Sequence, residues 1–167
     1  MSVQDKLGEI TRLQELGVIE KVEQPTDWVS GLVVAAKKNG SLRICIDPQP
    51  LNKALRRSTY PTPTMEDVLP RLSNARIFTV CDIKNGFWHV ELDEASSLLT
   101  TFATPLGRYR WKRLPFGVSP APEIFQRKLD ECIHDLPCTT RIVDDLLIWG
   151  EGDTVEDATD SHDRHVE

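Results

Sequence analysis

Apolar residues recur at two periods along this chain, and the alternation between them predicts an α+β fold. Val3, Leu7, Ile10, Leu13 and Leu16 stand three or four apart, one face of a helix, with Gly17 placed to end it. Val18 to Val22 reads as a short strand, broken by Pro25 and Asp27. Gly31 to Ala36 and the alternating Leu42, Ile44 and Ile46 flank Asn39-Gly40, a dipeptide that favours tight hairpins. Pro48 to Pro63 is rich in turn formers and carries a basic patch at Lys53, Arg56 and Arg57. Thr64 with Asp67 has the spacing of a helix start, and Pro70 keeps that helix short or bent.

Ile77 to Ile83 is an apolar strand run that ends around Asp82, and Phe87 to Leu92 alternates as another strand. Leu98–Phe102 and Tyr109–Arg113 predict a further pair, turned at Pro105-Leu106-Gly107. Ser119 is placed to cap a helix carrying Phe125, Leu129, Cys132, Ile133 and Leu136 on one face. Thr139 to Gly150 sets Asp144-Asp145 between the apolar pairs and runs Ile142-Val143 and Leu146 to Trp149, the pattern of a hairpin with two acids at its bend. Beyond Gly150 the chain turns acidic and polar, a loop followed by the start of a helix.

Composition narrows the class. The chain has 167 residues, 40% hydrophobic and 28% charged, which suits a soluble globular domain and excludes collagen, coiled coil and wholesale disorder. No apolar run reaches the ~18 residues of a membrane span. Asp5 and Glu9 replace any apolar leader, so an intracellular location is expected, not secretion. The cysteines at 45, 81, 132 and 138 form no Cys-x-x-Cys, which excludes a zinc knuckle or a thioredoxin-type pair. Cys45 and Cys81 are expected as buried thiols in a reducing compartment. His162 and His165 read as part of a solvated polar segment.

Charge is unevenly spread. Residues 1–30 carry −3, residues 31–128 carry +7 and residues 129–167 carry −10, within a formal net charge of −6. A basic middle beside an acidic end suits a polyanion channel next to a carboxylate cluster, and equally a basic solvated face with an acidic tail. If the strand ending at Asp82 neighbours the hairpin of Asp144 and Asp145, three carboxylates meet at one sheet edge. Like charges there repel unless cations neutralise them, and Mg²⁺ prefers such oxygen ligands. Taken alone, Asp144-Asp145 is also what a polar turn looks like.

The order of several blocks separates these readings. Leu16-Gly17-Val18-Ile19-Glu20, Trp28-Val29-Ser30, Lys37-Lys38-Asn39-Gly40-Ser41-Leu42-Arg43 with Asp47, Leu51-Asn52-Lys53 and Tyr60-Pro61 come first. Phe78 to Phe87, Leu114 to Gln126 and Ile142-Val143-Asp144-Asp145 follow. In that order they resemble the reverse transcriptases of Gypsy-type LTR retrotransposons, over about residues 16 to 150.

The resemblance implies a right-hand polymerase: fingers at 1–56 and 90–120, an incomplete palm at 57–89 and 121–167, and an antiparallel palm sheet packed on helices. The thumb and RNase H domain would lie beyond this chain, in a longer Pol polyprotein that also holds an integrase. Asp82 and Asp144 would hold two Mg²⁺ ions, for which Mn²⁺ could substitute. Asp145 would complete the catalytic cluster, and the Ile83 carbonyl would reach a metal. Phe87 would stack under the incoming sugar and reject a 2′-hydroxyl. Arg43 and one of Lys37 and Lys38 would contact the triphosphate. Phe116 and Gly117 would lie under the nascent base pair, with Gly117 letting backbone approach the template. Gln126 and Arg127 would face the template. Arg110 and Lys112, with Arg108 and Arg113, alternate with Tyr109 and Trp111. That strand is either a phosphate-tracking surface with stacking aromatics or an exposed strand with a basic outer face.

The expected partners are a primed RNA or DNA template and deoxynucleoside triphosphates, in the cytoplasm (a virus-like particle) or the nucleus, with no membrane. One departure is Ile142, where the family usually has Tyr. The alternatives are a catalytically inactive retrotransposon remnant that only binds nucleic acid or protein, and a two-metal nuclease. The ordered polymerase blocks and the lack of a base for water disfavour the nuclease.

Overall fold

The structure, a computed structural model, describes residues 3–36, 42–56, 59–61, 63–142 and 145–166. In chain order the elements are α1 (Val3–Glu15), β1 (Ile19–Val22), β2 (Gly31–Ala36), β3 (Leu42–Asp47), α2 (Gln49–Ala54), α3 (Met65–Val68) and β4 (Ala75–Asp82). Then follow α4 (Glu94–Leu99), β5 (Phe102–Thr104), β6 (Gly107–Trp111), α5 (Ala121–Ile133), β7 (Thr139–Ile142), β8 (Asp145–Glu151) and α6 (Val155–Val166). They divide into two compact units, Met1–Ser58 with Phe87–Pro122, and Thr59–Gly86 with Glu123–Glu167.

The first unit holds an antiparallel sheet of order β1-β6-β5 and the β2–β3 hairpin. α1 buries Ile10 and Leu13. It ends where Gly17 takes φ 67° and the Val18 amide donates to the Leu13 carbonyl at 3.0 Å, a turn that favours glycine. Tyr109 and Trp111 alternate inward on β6 and are buried, so the aromatics of that strand belong to the core.

Three expectations in this unit need correction. The turn-rich stretch after Pro48 contains α2, with Pro50 in the first turn, where its missing N–H costs nothing. Phe87 begins no strand: Gly86–His89 is a 3₁₀ turn, in which Trp88 packs 6.3 Å from Trp111. Leu98 and Leu99 lie on α4, because Asp93 caps that helix by accepting the Ser96 amide at 2.7 Å, and the strand starts only at Phe102. In the last two cases a local turn or cap overrides a two-residue apolar alternation.

The second unit is an antiparallel sheet of order β4-β8-β7 with β8 in the centre. The Thr64–Asp67 spacing forms a reciprocal capping box at α3, and a 3₁₀ turn through Pro70 follows it. Val68, Leu147 and Trp149 make a small core against which Leu72, Ala75, Cys138 and Ile142 pack. α6 covers the other face of the sheet. A Cβ on Gly150 would stand 2.0 Å from the Ala158 carbonyl oxygen, so only glycine allows that helix so close. His162, expected in a solvated segment, places Nε2 2.8 Å from the Thr79 hydroxyl and is largely covered. α5 starts at Ala121 and not at Ser119, whose amide is used elsewhere. Leu136 lies past its end and is half exposed.

Cys45 and Cys81 are half-buried, less covered than expected, and burial pushes the Cys45 thiol above its usual pKa. Among the described residues, no helix is long and apolar enough to cross a membrane.

Candidate active site

Strand register brings carboxylates together. β4 and β8 pair antiparallel from Ala75↔Glu151 to Asp82↔Asp145, so these two acids are direct partners at the end of the ladder. Partners in such a pair have Cα atoms about 4.5–5.5 Å apart and side chains on one face of the sheet. β7 ends beside them, with Ile142 opposite Asp145. Asp145 therefore opens β8 as a strand residue and is not part of a bend. Asp144, the expected third acid, lies outside the described residues, as do Lys37 and Lys38.

Asp82 is exposed and Asp145 half-exposed. Among the described residues, no three His, Cys, Asp or Glu side chains gather as a metal cluster. The donors present are nevertheless hard, anionic and adjacent, a set that fits Mg²⁺ and suits no soft metal. The Ile83 carbonyl accepts the Gly86 amide at 3.0 Å, which fixes the turn after Asp82. Asn85 in that turn takes φ 56°, a conformation asparagine tolerates.

The first unit holds an aromatic and cationic stack. The Phe87 and Phe116 rings lie 4.7 Å apart at 27°, and the Arg43 guanidinium lies 4.6 Å from the Phe116 centroid. The loop carrying Phe116 is pinned at successive points. The Ile46 amide donates to the Phe116 carbonyl at 3.2 Å. Asn52 Nδ2 donates to the Gly117 carbonyl, and Asn52 Oδ1 accepts the Ser119 amide, both at 2.8 Å. Gly117 has φ 109°, and a Cβ there would lie 2.1 Å from the Ile46 carbonyl oxygen. The close approach that Gly117 permits is thus to β3 of the same chain.

The residues expected to meet template or primer separate into two groups. Arg127 and Lys112 are exposed. Arg127 has Glu131 at 4.0 Å, one turn on. Gln126 is buried on the inner side of α5. Arg110 is held by two carboxylates, Glu20 at 2.7 Å and Glu94. Those hydrogen bonds hold the Arg110 pKa above its ordinary value and that of Glu20 below it. An arginine so neutralised has little charge left for phosphate.

Arg141 and Asn52 received no role from the sequence. Arg141 on β7 is 1% exposed, donates to Asp130 at 2.6 Å and to the Pro61 carbonyl at 2.8 Å, and lies 5.6 Å from the Tyr60 ring centroid. A second arginine, Arg71, donates to the Thr139 carbonyl and the Thr140 hydroxyl, each at 3.2 Å. Together they fasten the strand that runs toward the acid pair. A lone basic residue inside an apolar strand pattern was the available signal for Arg141.

Comparison with known proteins agrees with these features. The sequence model described as reverse transcriptase (RNA-dependent DNA polymerase) matches residues 35–167. An uncharacterized protein of Caenorhabditis elegans is 36% identical over 84% of this chain and 11% of its own length. The enzymatic polyprotein of cauliflower mosaic virus is 34% identical over 87% of this chain and 22% of the polyprotein. The Pol polyprotein of Drosophila melanogaster transposon 412, described as retrovirus-related, is 33% identical over 78% and 11%. The chain therefore spans less than a quarter of these relatives. Among solved structures, a foamy viral protease-reverse transcriptase in complex with double-stranded DNA superposes with a TM-score of 0.77 at 23% identity, over 93% of this chain and 27% of that one. The foamy viral protein has also been solved with an RNA/DNA hybrid, with a TM-score of 0.71 at 21% identity, over 96% and 21%.

Proposed function

The chain belongs to the reverse transcriptase family, and from that premise we propose that it supplies fingers and palm for template-directed addition of deoxynucleotides to a primer 3′-hydroxyl. The observation that carries this reading is the register partnership of Asp82 and Asp145 at the end of β4 and β8. The ordered sequence blocks further favour a Gypsy-type LTR retrotransposon as the source, with the rest of a Pol polyprotein as the natural context. The foamy viral complexes support a primed duplex as the partner.

Asp82, Asp144 and Asp145 would hold two Mg²⁺ ions, which would supply positive charge to the primer 3′-hydroxyl and to the leaving pyrophosphate. The remaining work falls to side chains. Arg43, with Lys37 or Lys38, pairs with triphosphate oxygens, where a planar guanidinium binds two at once. Phe87 lies against the sugar and excludes a 2′-hydroxyl. Arg127 and Lys112 supply positive charge for a phosphate backbone, a contribution that weakens as salt rises. Arg110 and Gln126 serve the fold.

The test is Mg²⁺-dependent extension of a DNA primer on an RNA template, with Asp82→Asn as control. Extension that requires deoxynucleotides and vanishes in the control supports the reading. A folded chain that binds the duplex but extends nothing would count against activity of these residues alone and favour the binding-only alternative.

A further inference from the structure

We propose that the outer edge of β4 is a self-recognition surface, through which this chain pairs two-fold with a second copy of itself. β4 stands at the end of the sheet order β4-β8-β7, and among the described residues no strand pairs with its other side. Backbone N–H and C=O groups along such an edge are open to a further strand. Side chains alternate along β4, with Arg76, Phe78, Val80 and Asp82 on the more exposed face. Phe78 is 50% exposed and Val80 64%, although Trp149 and Leu147, their partners on β8, are buried. The apolar face of the second unit therefore runs out to the sheet edge, and among the described residues nothing covers it there. α6 packs on the opposite face, where the Thr79 hydroxyl meets His162.

The order of residues along β4 points to a second copy as the occupant. Residues opposite each other in an antiparallel pair share a face, so a two-fold axis relating two β4 strands must pass through a residue. An axis at Thr79 sets Arg76 against Asp82 of the second copy and Phe78 against its Val80, and symmetry repeats both pairs. An axis at Phe78 would set Arg76 against Val80, and one at Val80 would set Phe78 against Asp82. Of the positions from Ile77 to Cys81, Thr79 alone matches opposite charges and apolar partners together. Opposite charges and aromatic–β-branched pairs both stabilise facing strands. Arg76 sits at the bulge between Ala75 and Ile77, and its Nε donates to the Gly152 carbonyl at 2.8 Å. That bond uses one of the donors of the guanidinium fork, and the long side chain brings the others to a carboxylate across the pair. Such pairing occupies Asp82, so on the polymerase reading above the dimer is an inactive form.

The experiment is sedimentation velocity on the full chain, from low micromolar to submillimolar concentration. The unsubstituted chain is expected to pass from monomer to dimer over that range, as a short strip of interface implies. Val80→Lys puts a charge against Phe78, and Arg76→Glu sets two acids face to face. Each should raise the dimer dissociation constant about tenfold or more. Arg76→Glu combined with Asp82→Lys restores opposite charges in the same register and should bring the constant back to within about threefold of the original. Circular dichroism and the urea midpoint report folding, and Phe78→Lys replaces Val80→Lys if that variant does not fold. A chain that stays monomeric throughout overturns the proposal. So does a dimer indifferent to Val80→Lys, or one that the paired charge reversal does not recover. Dimerisation of this pattern in a chain whose monomer extends no primer would sink the polymerase reading and leave the pairing standing.

Discussion

The two units assemble their chemistry by different means. In the second, Asp82 and Asp145 face each other because two strands pair in unbroken register from Ile77↔Gly150 onward, past a bulge between Ala75 and Ile77. In the first, Arg43, Phe87 and Phe116 converge from three separate places, and their meeting depends on a loop pinned by Asn52 and Ile46. Register is set by an entire ladder and resists single changes on its exposed face. A pinned loop depends on a few hydrogen bonds and on one residue lacking a side chain. The carboxylate edge should therefore be robust in structure and unforgiving in chemistry, and the stack the reverse.

The largest effect expected is on chemistry at the robust edge. Asp82→Asn should lower primer extension by about 10³-fold, in the range seen when a charge-stabilising group is lost. Its unfolding free energy should stay within about 0.5 kcal/mol of the unsubstituted chain, because Asp82 is exposed. A large loss of stability in urea titration would show that the acid pair is structural and would collapse the contrast.

Next comes the arginine that fastens β7. Arg141→Met should destabilise the chain by about 3 kcal/mol, since it leaves Asp130 without its cation and the Pro61 carbonyl without its donor. A third of the Asp130 side chain reaches solvent, which keeps the cost at the lower end for a broken buried pair. A shift in the urea midpoint smaller than that of an ordinary surface substitution would mean that register alone holds the strand.

Gly117→Ala tests the pinned loop directly. The positive φ and the 2.1 Å approach to Ile46 predict a loss of about 2 kcal/mol, together with a raised deoxynucleotide KM as Phe116 is displaced. Unchanged KM in steady-state kinetics would separate the loop from the stack.

The smallest effect concerns pH. The Thr64 amide and hydroxyl hold the Asp67 carboxyl below its ordinary pKa, and the Ser96 amide does the same for Asp93. A depressed carboxyl contributes stability in full above its unfolded-state pKa and loses it as pH falls through the folded value. The urea midpoint should thus decline below about pH 4, near the model-peptide pKa of aspartate. Thr64→Ala, which removes the hydroxyl partner of Asp67, should make that decline shallower. Equal slopes with and without Thr64 would rule out the cap as a source of the pH dependence.

What could be read from the sequence follows the same division. β4, β7 and β8 were legible because apolar runs interrupted by acids leave a plain pattern, and the Thr64–Asp67 box announces its helix within four residues. Asp82 and Asp145 as partners follow from those strands once they share a sheet. The 3₁₀ turn at Gly86–His89 and the helix at Glu94–Leu99 were misread because Phe87, Trp88, Leu98 and Leu99 alternate or cluster like strand residues. Their conformation is decided by a turn and by the Asp93 cap. The role of Asn52 could not be read at all, and Gly117 was legible as a point of close backbone approach but not as one that faces Ile46. Asn52 meets its partners 65 and 67 residues away, and nothing in its neighbourhood hints at them. Arg110 read equally as a phosphate contact or as part of a basic outer face, and nothing in the sequence placed Glu20 and Glu94 beside it.

The interruption of the second unit by the first also sets an order of events during synthesis. β4, an edge strand that pairs with β8, leaves the ribosome with no strand partner, and β8 follows only after the whole Phe87–Pro122 segment has been made. Closing so long a loop is entropically slow compared with forming α3 or the β2–β3 hairpin, whose partners are close along the chain. Meanwhile β4 carries Phe78 and Val80, which are more than half or half exposed even in the finished fold. An apolar strand waiting for its partner is a template for pairing with another chain. Nascent copies are thus most vulnerable to aggregation between the emergence of Asp82 and that of Asp145, and a pause in translation there would lengthen the exposure.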